Sequence, residues 1–285
     1  MFLAHTNQKL LLNLPQTNNT KRLVTSSNGT KLLSNICPHQ RSKLNLVGST
    51  LSCPYHAWTF TIDGKPIGSG NTECKNHVDL EQYPLYQVGN FLFDIPVDLP
   101  HLDFLHNEYL ELIEYRCDNV DAPKEVIVDL FLDVSHIPIM HKGVYDQIGI
   151  DHKLRVDWYY SNNSSLQLVY RDDSMSEYSL EFDTKLGYKA AWLTLYPGTM
   201  IEWQPGAMFI TIAEDTKLGY SKVHVFKYRD IRYNTGVWKL NEDIWETAWQ
   251  QDKDQSELID GINYANLEQG KQHYVDWCNN EHTKT

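Results

Sequence analysis

Residues 37–56, CPHQRSKLNLVGSTLSCPYH, carry two pairs of metal-binding side chains. Cys37 pairs with His39 and Cys53 with His56, each in a short segment that contains proline. Two thiolates and two imidazoles can hold a tetrahedral zinc ion or the two irons of a [2Fe–2S] centre. Structural zinc usually takes CxxC and HxxxH pairs, whereas each pair here mixes one Cys with one His. A [2Fe–2S] centre with two Cys on one iron and two His on the other needs that mixture, so the spacing favours the iron centre.

The same stretch, continued by CPYHAWTFTIDGKPIG as far as Gly68, resembles the Rieske family. The resemblance implies an N-terminal all-β Rieske [2Fe–2S] domain, predicted over residues 1–100, whose cluster is held by the four residues just named. The alternative is that these side chains are merely buried, as a lone Cys often is. Four of them in this order, with two prolines, make that the weaker interpretation. Cys74, Cys117 and Cys278 are predicted to be plain thiols.

A second set of donors lies in DVSHIPIMH, from Asp133 to His141. His136 and His141 are five residues apart and can converge if the helix loosens at Pro138, which lacks a backbone N–H. Two imidazoles and one carboxylate on one face of a metal, with open positions, is the arrangement of non-haem Fe(II) oxygenases. The pattern therefore predicts a mononuclear Fe(2+) site whose third ligand comes from elsewhere in the chain.

The predicted C-terminal helix offers that third ligand, and its candidates are Asp243, Asp252, Asp254 and Asp260. Asp252 is seven residues from both Trp245 and Ile259, hence within about 20° of each around the helix, in the middle of an apolar stripe. A carboxylate there is costly unless it is paired or metal-bound. Asp243 projects away from that stripe, as an acidic residue near a helix N-terminus can. Asp252 is the predicted ligand, and Asp243 is the fallback.

DxxHxxxxH followed by an acidic helix resembles the catalytic domain of Rieske non-haem iron oxygenase α subunits, the terminal oxygenase components of aromatic-ring-hydroxylating dioxygenase and demethylase type. The resemblance implies an α+β chain in which residues 101–285 form a helix-grip (Bet v 1-like/START-like) antiparallel sheet with a long C-terminal helix. It also implies a homotrimer in which electrons pass between subunits. Asp133 would serve as the catalytic bridge, its carboxylate accepting hydrogen bonds from His136 and from His56 of the neighbouring subunit.

The order of predicted elements fits this division. Alternating runs and turn signals from Lys31 to Phe93 indicate antiparallel strands, and the proline-rich DIPVDLPHLDF places a domain boundary near Pro100. Val126 to His141 begins with helical spacing, and β-branched and aromatic runs dominate from Lys153 to Tyr228. Helical spacing returns from Asn241 to about Leu267, with Asn241 as the predicted N-cap.

The function that the resemblance implies is oxidation of a small organic molecule by hydroxylation or oxidative demethylation. It would use O2 and electrons from a separate NAD(P)H-dependent reductase, with or without an intervening ferredoxin, because the chain shows no glycine-rich nucleotide fingerprint. The alternatives are a Rieske ferredoxin-like electron carrier, which leaves His136 and His141 unexplained, and a catalytically silent binding protein. Aromatic residues on predicted strands could form a cage for a quaternary ammonium group or simply pack in the sheet. They are Trp192, Tyr196, Trp203 and Phe209.

Composition narrows the range of partners and compartments. Twenty-five Lys and Arg residues against 37 Asp and Glu give a net charge of −12, which disfavours nucleic acid as a partner. Apolar stretches fall far short of the ~20 residues that a membrane-spanning helix needs. Five cysteines without framework spacing suggest a reducing compartment, and the cytoplasm is the expected location.

Overall fold

The structure, a computed structural model, describes residues 2–5, 20–27, 29–68, 78–151, 155–170, 180–217, 219–259 and 269–282. The chain divides into two compact units, Met1–Pro96 and Val97–Thr285. Cys74, Asp260 and the part of the predicted C-terminal helix beyond residue 259 lie outside the described residues.

The first unit consists of small antiparallel sheets. Its strands are β1 (Phe2–His5), β2 (Lys21–Ser26), β3 (Gly29–Ser34), β4 (Asn45–Val47), β5 (Thr50–Ser52), β6 (Thr59–Thr61), β7 (Pro66–Gly68), β8 (Gln82–Tyr83), β9 (Tyr86–Val88) and β10 (Phe91–Phe93). In the described residues they pair in the orders β1-β10-β9, β2-β3-β8 and β4-β5-β6-β7. Leu33, Leu51 and Phe60 are fully buried, and both Cys37 and Cys53 belong to the same apolar cluster. Antiparallel pairing of short strands therefore brings the two cysteine-containing loops to one core.

The second unit is a long antiparallel sheet with helices. Its elements are β11 (Leu110–Val120), α1 (Lys124–Phe131), α2 (Ile137–Met140), β12 (Arg155–Ser161), β13 (Ser164–Tyr170), α3 (Glu181–Leu186), β14 (Ala190–Leu195), β15 (Thr199–Gln204), β16 (Ala207–Lys217), β17 (Tyr220–Asp230), α4 (Thr235–Ser256) and α5 (Gln269–His282). The sheet order is β11-β17-β16-β15-β14-β13-β12. Every residue of β14 and β15 is buried, including the polar Thr194 and the acidic Glu202. The predicted α+β class is confirmed.

Helix α4 packs on this sheet through tryptophans at helical spacing. Trp245 stacks on Phe209 of β16 with ring centroids 5.0 Å apart, and Trp249 follows one turn later at 5.9 Å from Trp245. Because residues four apart share a helix face, the apolar stripe faces the sheet and carries Asp252 with it. The side that packs on the sheet is therefore the side that carries the predicted iron ligand.

The predicted start of α4 is wrong. The helix begins at Thr235, and the side chain of Asn234 caps it by accepting a hydrogen bond of 3.0 Å from the backbone N–H of Val237. Asn241 lies inside the helix, buried, and donates a hydrogen bond of 3.0 Å to the carbonyl of Pro205. Both asparagines are good N-caps by type, and a tertiary contact explains why one of them occupies the helix interior instead.

Helix α5 approaches the rest of the second unit closely at Gly270. A Cβ atom there would lie 2.6 Å from the ring of Trp158 and 2.8 Å from the carbonyl oxygen of Leu132. Glycine is therefore required for this contact, which reaches the residue directly before Asp133. None of the helices in the described residues combines the length and apolar character that a membrane crossing requires.

Candidate metal centres

The two loops of the first candidate centre have the same backbone design. Arg41 donates its N–H to the carbonyl of Cys37, and Ala57 donates its N–H to the carbonyl of Cys53, each at 3.0 Å. Arg41 and Ala57 both have φ of 54°, a left-handed conformation that L residues rarely adopt. Two copies of one strained turn therefore present a Cys and a His each to a common point.

The donor atoms of these loops suit a metal cluster. The thiols of Cys37 and Cys53 are buried and contact each other. Burial raises the pKa of Cys37. At Cys53 burial acts in the same direction, but backbone N–H groups of His56 and Tyr55 outweigh it and hold the pKa below its usual value. Loop N–H groups are thus aimed at sulfur, where they would stabilise thiolate ligands.

The imidazoles complete the donor set. The rings of His39 and His56 lie 4.8 Å apart, and His39 stacks on Trp58 at 5.1 Å. Within the described part of the chain, the buried Nδ1 atom of His56 has no hydrogen-bond partner. A buried polar atom without a partner is costly, and a metal bond would satisfy it. Two thiolates and two imidazoles from paired loops fit a Rieske [2Fe–2S] cluster.

The second candidate centre is formed where the chain leaves α1. Residues Val134–His136 form a 3₁₀ turn, and the short α2 begins at Ile137 with Pro138 in its first turn. Gln167 of β13 accepts from the N–H of Val134 at 3.1 Å and donates to the carbonyl of Phe131 at 2.9 Å, which fastens this irregular segment to the sheet. The change of helix type lets two histidines five residues apart face each other.

Three side chains converge at this point. The Nε2 atoms of His136 and His141 are 3.1 Å apart, and Oδ1 of Asp252 lies 3.6 Å and 3.1 Å from them. Asp252 is buried on α4, whereas Asp243 is 62% exposed in an ion pair with Lys239. The structure therefore brings Asp252, and not Asp243, to the histidines.

Hydrogen bonds orient both imidazoles. Nδ1 of His136 donates to the backbone carbonyl of Asp133, and Nδ1 of His141 donates to Oε1 of Gln251 at 2.7 Å. Because each Nδ1 carries the proton, both Nε2 atoms are acceptors in the neutral rings, and two acceptors with a carboxylate face one point. A divalent metal ion between the donors, or a proton on one ring, relieves the repulsion among them, and two imidazoles with a carboxylate fit such an ion.

The carboxylate of Asp133 does not make the hydrogen bond that the resemblance implied with His136. It accepts from the N–H and hydroxyl of Ser135 at 2.9 and 2.5 Å, and lies 3.9 Å from Nζ of Lys271 on α5. Asp133 is the N-cap of the 3₁₀ turn, so its side chain turns toward Ser135 while its carbonyl meets the imidazole. The contact to His56 of a neighbouring subunit stays a prediction.

A cavity opens beside the three donors. Its lining residues are Leu130, Phe131, Val134, His136, Ile137, His141, Tyr145, Trp192, Glu202, Trp245, Ala248, Trp249 and Asp252. Of the four aromatic residues predicted as a cage, Trp192 belongs to this lining. The other three pack against aromatic rings of the second unit. Phe209 stacks on Trp245, the ring centroids of Trp203 and Tyr188 lie 5.7 Å apart, and those of Tyr196 and Tyr274 lie 5.0 Å apart.

The sequence analysis missed three residues of this site. Glu202 and Tyr145 line the cavity and are joined by a hydrogen bond of 2.8 Å, and Gln251 orients His141. The signal for Glu202 was available, because it is an acidic residue in the otherwise uncharged run TMIEWQ of a buried strand. Gln251 directly precedes Asp252 and carried no comparable signal.

Comparison with known proteins finds a domain match and several relatives. Residues 16–84 match the Rieske [2Fe–2S] domain. The chain is 27% identical over 202 residues to putrescine 2-hydroxylase of Ralstonia nicotianae, and 25% identical over 205 residues to the carnitine monooxygenase oxygenase subunit of Acinetobacter pittii. The chain thus carries a Rieske [2Fe–2S] domain and is similar to oxygenase subunits over part of its length. These alignments cover 63% and 62% of this chain and 55% and 53% of the relatives, so the chain spans about half the length of the curated relatives it matches.

Solved structures show the same fold. A quaternary ammonium Rieske monooxygenase in complex with L-carnitine superimposes with a TM-score of 0.64 at 15% identity, covering 92% of this chain and 81% of that one. Naphthalene 1,2-dioxygenase gives 0.57 at 13% identity, covering 84% and 68%. The Rieske resemblance stated from the sequence is thereby confirmed, together with its fold.

Proposed function

We propose that this chain is the terminal oxygenase component of a Rieske oxygenase system. The observation that carries the proposal is the convergence of His136, His141 and Asp252 beside a cavity, in a chain that also holds a Rieske domain. A pure electron carrier would need the Rieske domain alone and would leave these three donors without a role. The proposed reaction is hydroxylation or oxidative demethylation of a small organic molecule.

The ligand assignments belong to the proposal. Cys37, Cys53, His39 and His56 would hold the [2Fe–2S] cluster, with the thiolates on one iron and the imidazoles on the other. The three donors of the second centre would hold Fe(2+) by Nε2 of each histidine and a carboxylate oxygen of Asp252. When bound, this iron binds and activates O2 with electrons that the cluster supplies.

The chain's own residues prepare the site. Gln251 and the carbonyl of Asp133 fix the tautomers of His141 and His136, so that both rings offer Nε2. Leu130, Ile137 and Trp249 are among the apolar residues that line the cavity beside the three donors. Asp133 lies at the start of this segment, where we propose that it receives electrons across a subunit contact in a homotrimer.

Partners and substrates follow by analogy with the relatives. One relative is named as hydroxylating putrescine and another as the oxygenase subunit of a carnitine monooxygenase. Because the carnitine monooxygenase relative is an oxygenase subunit, we propose a separate NAD(P)H-dependent reductase as the electron donor of this chain.

An iron count tests the proposal. The full-length protein should contain about three irons per chain if it is an oxygenase, and about two if it is an electron carrier. His141→Ala should lose about one iron per chain while the visible spectrum of the cluster persists, because the ligand sets lie in different units. With a reductase, the native protein should show substrate-dependent O2 uptake. Stoichiometric zinc in a colourless protein would contradict the proposal.

A further inference from the structure

A carboxylate in the cavity wall has no part in either candidate metal centre. Glu202 lies in the middle of β15 and is 3% exposed. In the sheet it is directly opposite Trp192 of β14, and cross-strand partners point to the same face. Both residues line the cavity beside the donors of the second centre. Glu202 therefore presents an acidic group to any molecule that occupies the cavity.

The partners of this carboxylate keep it in place without neutralising it. Tyr145 donates its hydroxyl proton to Oε1 of Glu202 at 2.8 Å, and the side chain of Trp192 is a further hydrogen-bond donor. Neither donor carries a charge. Among the described residues that line the cavity, none is Lys or Arg. The two histidines of the lining are engaged with Asp252.

Burial makes the charged form of the Glu202 carboxyl group costly. Desolvation raises the pKa of Glu202 to about 7, against the hydrogen bond from Tyr145, which lowers it. A positively charged guest would remove that cost by pairing with the carboxylate. Rings of Trp192, Trp245 and Trp249 also line the cavity, and the faces of aromatic rings attract cations. Acid and aromatic groups thus favour the same kind of ligand.

We infer that Glu202, held by Tyr145, binds a positively charged nitrogen group of the substrate. The inference rests on the proposed function and narrows its substrate class to compounds with an ammonium group, primary or quaternary. Glu202 acts here as a specificity residue, since it contacts the substrate away from the bond that is oxidised. An ion pair with Glu202 would hold a cationic substrate in a fixed position relative to the second metal centre. A neutral analogue cannot form that ion pair.

Binding of matched probe pairs to the iron-loaded, full-length protein tests the inference. The quaternary pair is choline and its neutral tert-butyl isostere 3,3-dimethylbutan-1-ol. The primary pair is 1,4-diaminobutane and butane-1,4-diol. We expect at least one cation to bind at least about 10-fold tighter than its neutral partner by calorimetry, which corresponds to ~1.4 kcal/mol. If neither cation binds the native protein more tightly than its neutral partner, the inference is overturned, and this result needs no variant.

Variants then locate the preference. Glu202→Gln should reduce it to within about twofold, and Glu202→Asp, which retains the charge, should keep part of it. Glu214→Gln removes a carboxylate of β16 that contacts His224 outside the cavity and serves as the matched control. An unchanged preference in Glu202→Gln, or an equal loss in Glu214→Gln, would also overturn the inference.

Oxygen uptake separates this inference from the proposed function. Selective binding of cations without O2 uptake in the presence of a reductase contradicts the oxygenase function and leaves the role of Glu202 standing. Oxidation of neutral compounds with no preference for cations contradicts the role of Glu202 and leaves the oxygenase function standing.

Discussion

Replacement of Glu202 by Gln should change the pH dependence of stability in a defined direction. In the folded chain the pKa of this carboxyl is about 7, whereas its ordinary value is 4.5. Between these two pH values the folded protein holds a proton that the unfolded chain has released. Stability therefore falls as pH rises from about 4.5 to about 7 and is unaffected by this group above and below that window.

The size of the effect follows from the same two values. The difference between 4.5 and about 7 corresponds to ~3 kcal/mol of stability lost across the window, because each pH unit is worth about 1.36 kcal/mol. Gln does not ionise and retains the size of the side chain. The stability of the variant relative to that of the native protein should thus rise by ~2.5 kcal/mol from pH 5 to pH 8, because about two pH units of the window lie in that range.

Urea unfolding followed by tryptophan fluorescence measures this difference. Seven of the eight tryptophans lie in Val97–Thr285, so the signal reports the unit that contains Glu202. Both proteins should be stripped of the mononuclear metal, because a nearby cation would lower the pKa of the carboxyl. Stability curves that remain parallel from pH 5 to pH 8 would refute the reasoning.

Five further substitutions test other contacts. Asp252→Ala should remove about one iron per chain and leave the cluster spectrum intact, while Asp243→Ala retains that iron; the opposite result would reverse the assignment. The Asp133→Asn variant should keep both metal centres, and its cluster should be reduced at the normal rate. Reoxidation of the pre-reduced cluster should be slower in stopped-flow mixing with substrate and O2, and a native rate of reoxidation would exclude Asp133 from the electron path. Gln251→Leu should weaken iron binding about 10–100-fold in chelator competition, and an unchanged affinity would show that the bond to His141 is dispensable. Gly270→Ala should destabilise the protein by ~1–3 kcal/mol in thermal unfolding, since its Cβ would meet Trp158 and Leu132, and an unchanged midpoint would show that α5 can shift.

The donors of both centres could be predicted from sequence because local spacing controls them. Cys37 with His39, and Cys53 with His56, lie within single turns, where spacing alone decides whether side chains converge. The choice of Asp252 over Asp243 followed from helical phase, which holds over any regular stretch of helix and places Asp252 beside the histidines in the structure. The family and the α+β fold were recognised from the same motifs.

Other features depend on contacts distant in sequence. Asn241 was predicted as an N-cap and instead meets the carbonyl of Pro205 in the helix interior. Asp133 was predicted to receive His136 on its carboxylate, but a capping contact with Ser135 turns that side chain away. Glu202 reaches the cavity only through the pairing of β14 with β15. Sequence periodicity carries no information about such tertiary partners.

Gln167 has a consequence for metal selection. The side chain of Gln167 bonds the backbone on both sides of Leu132 and Asp133, so the sheet fixes the position of the segment that carries the histidines. Helix α4 supplies Asp252 independently. A site assembled by protein contacts accepts whichever divalent ion suits imidazole and carboxylate. By the Irving–Williams order such ligands bind Cu(2+) and Zn(2+) more tightly than Fe(2+). Under the proposed function, iron occupancy of this site would therefore depend on the supply of metal ions during folding. Zinc carried over from an expression medium would give a folded, coloured protein that lacks the proposed activity.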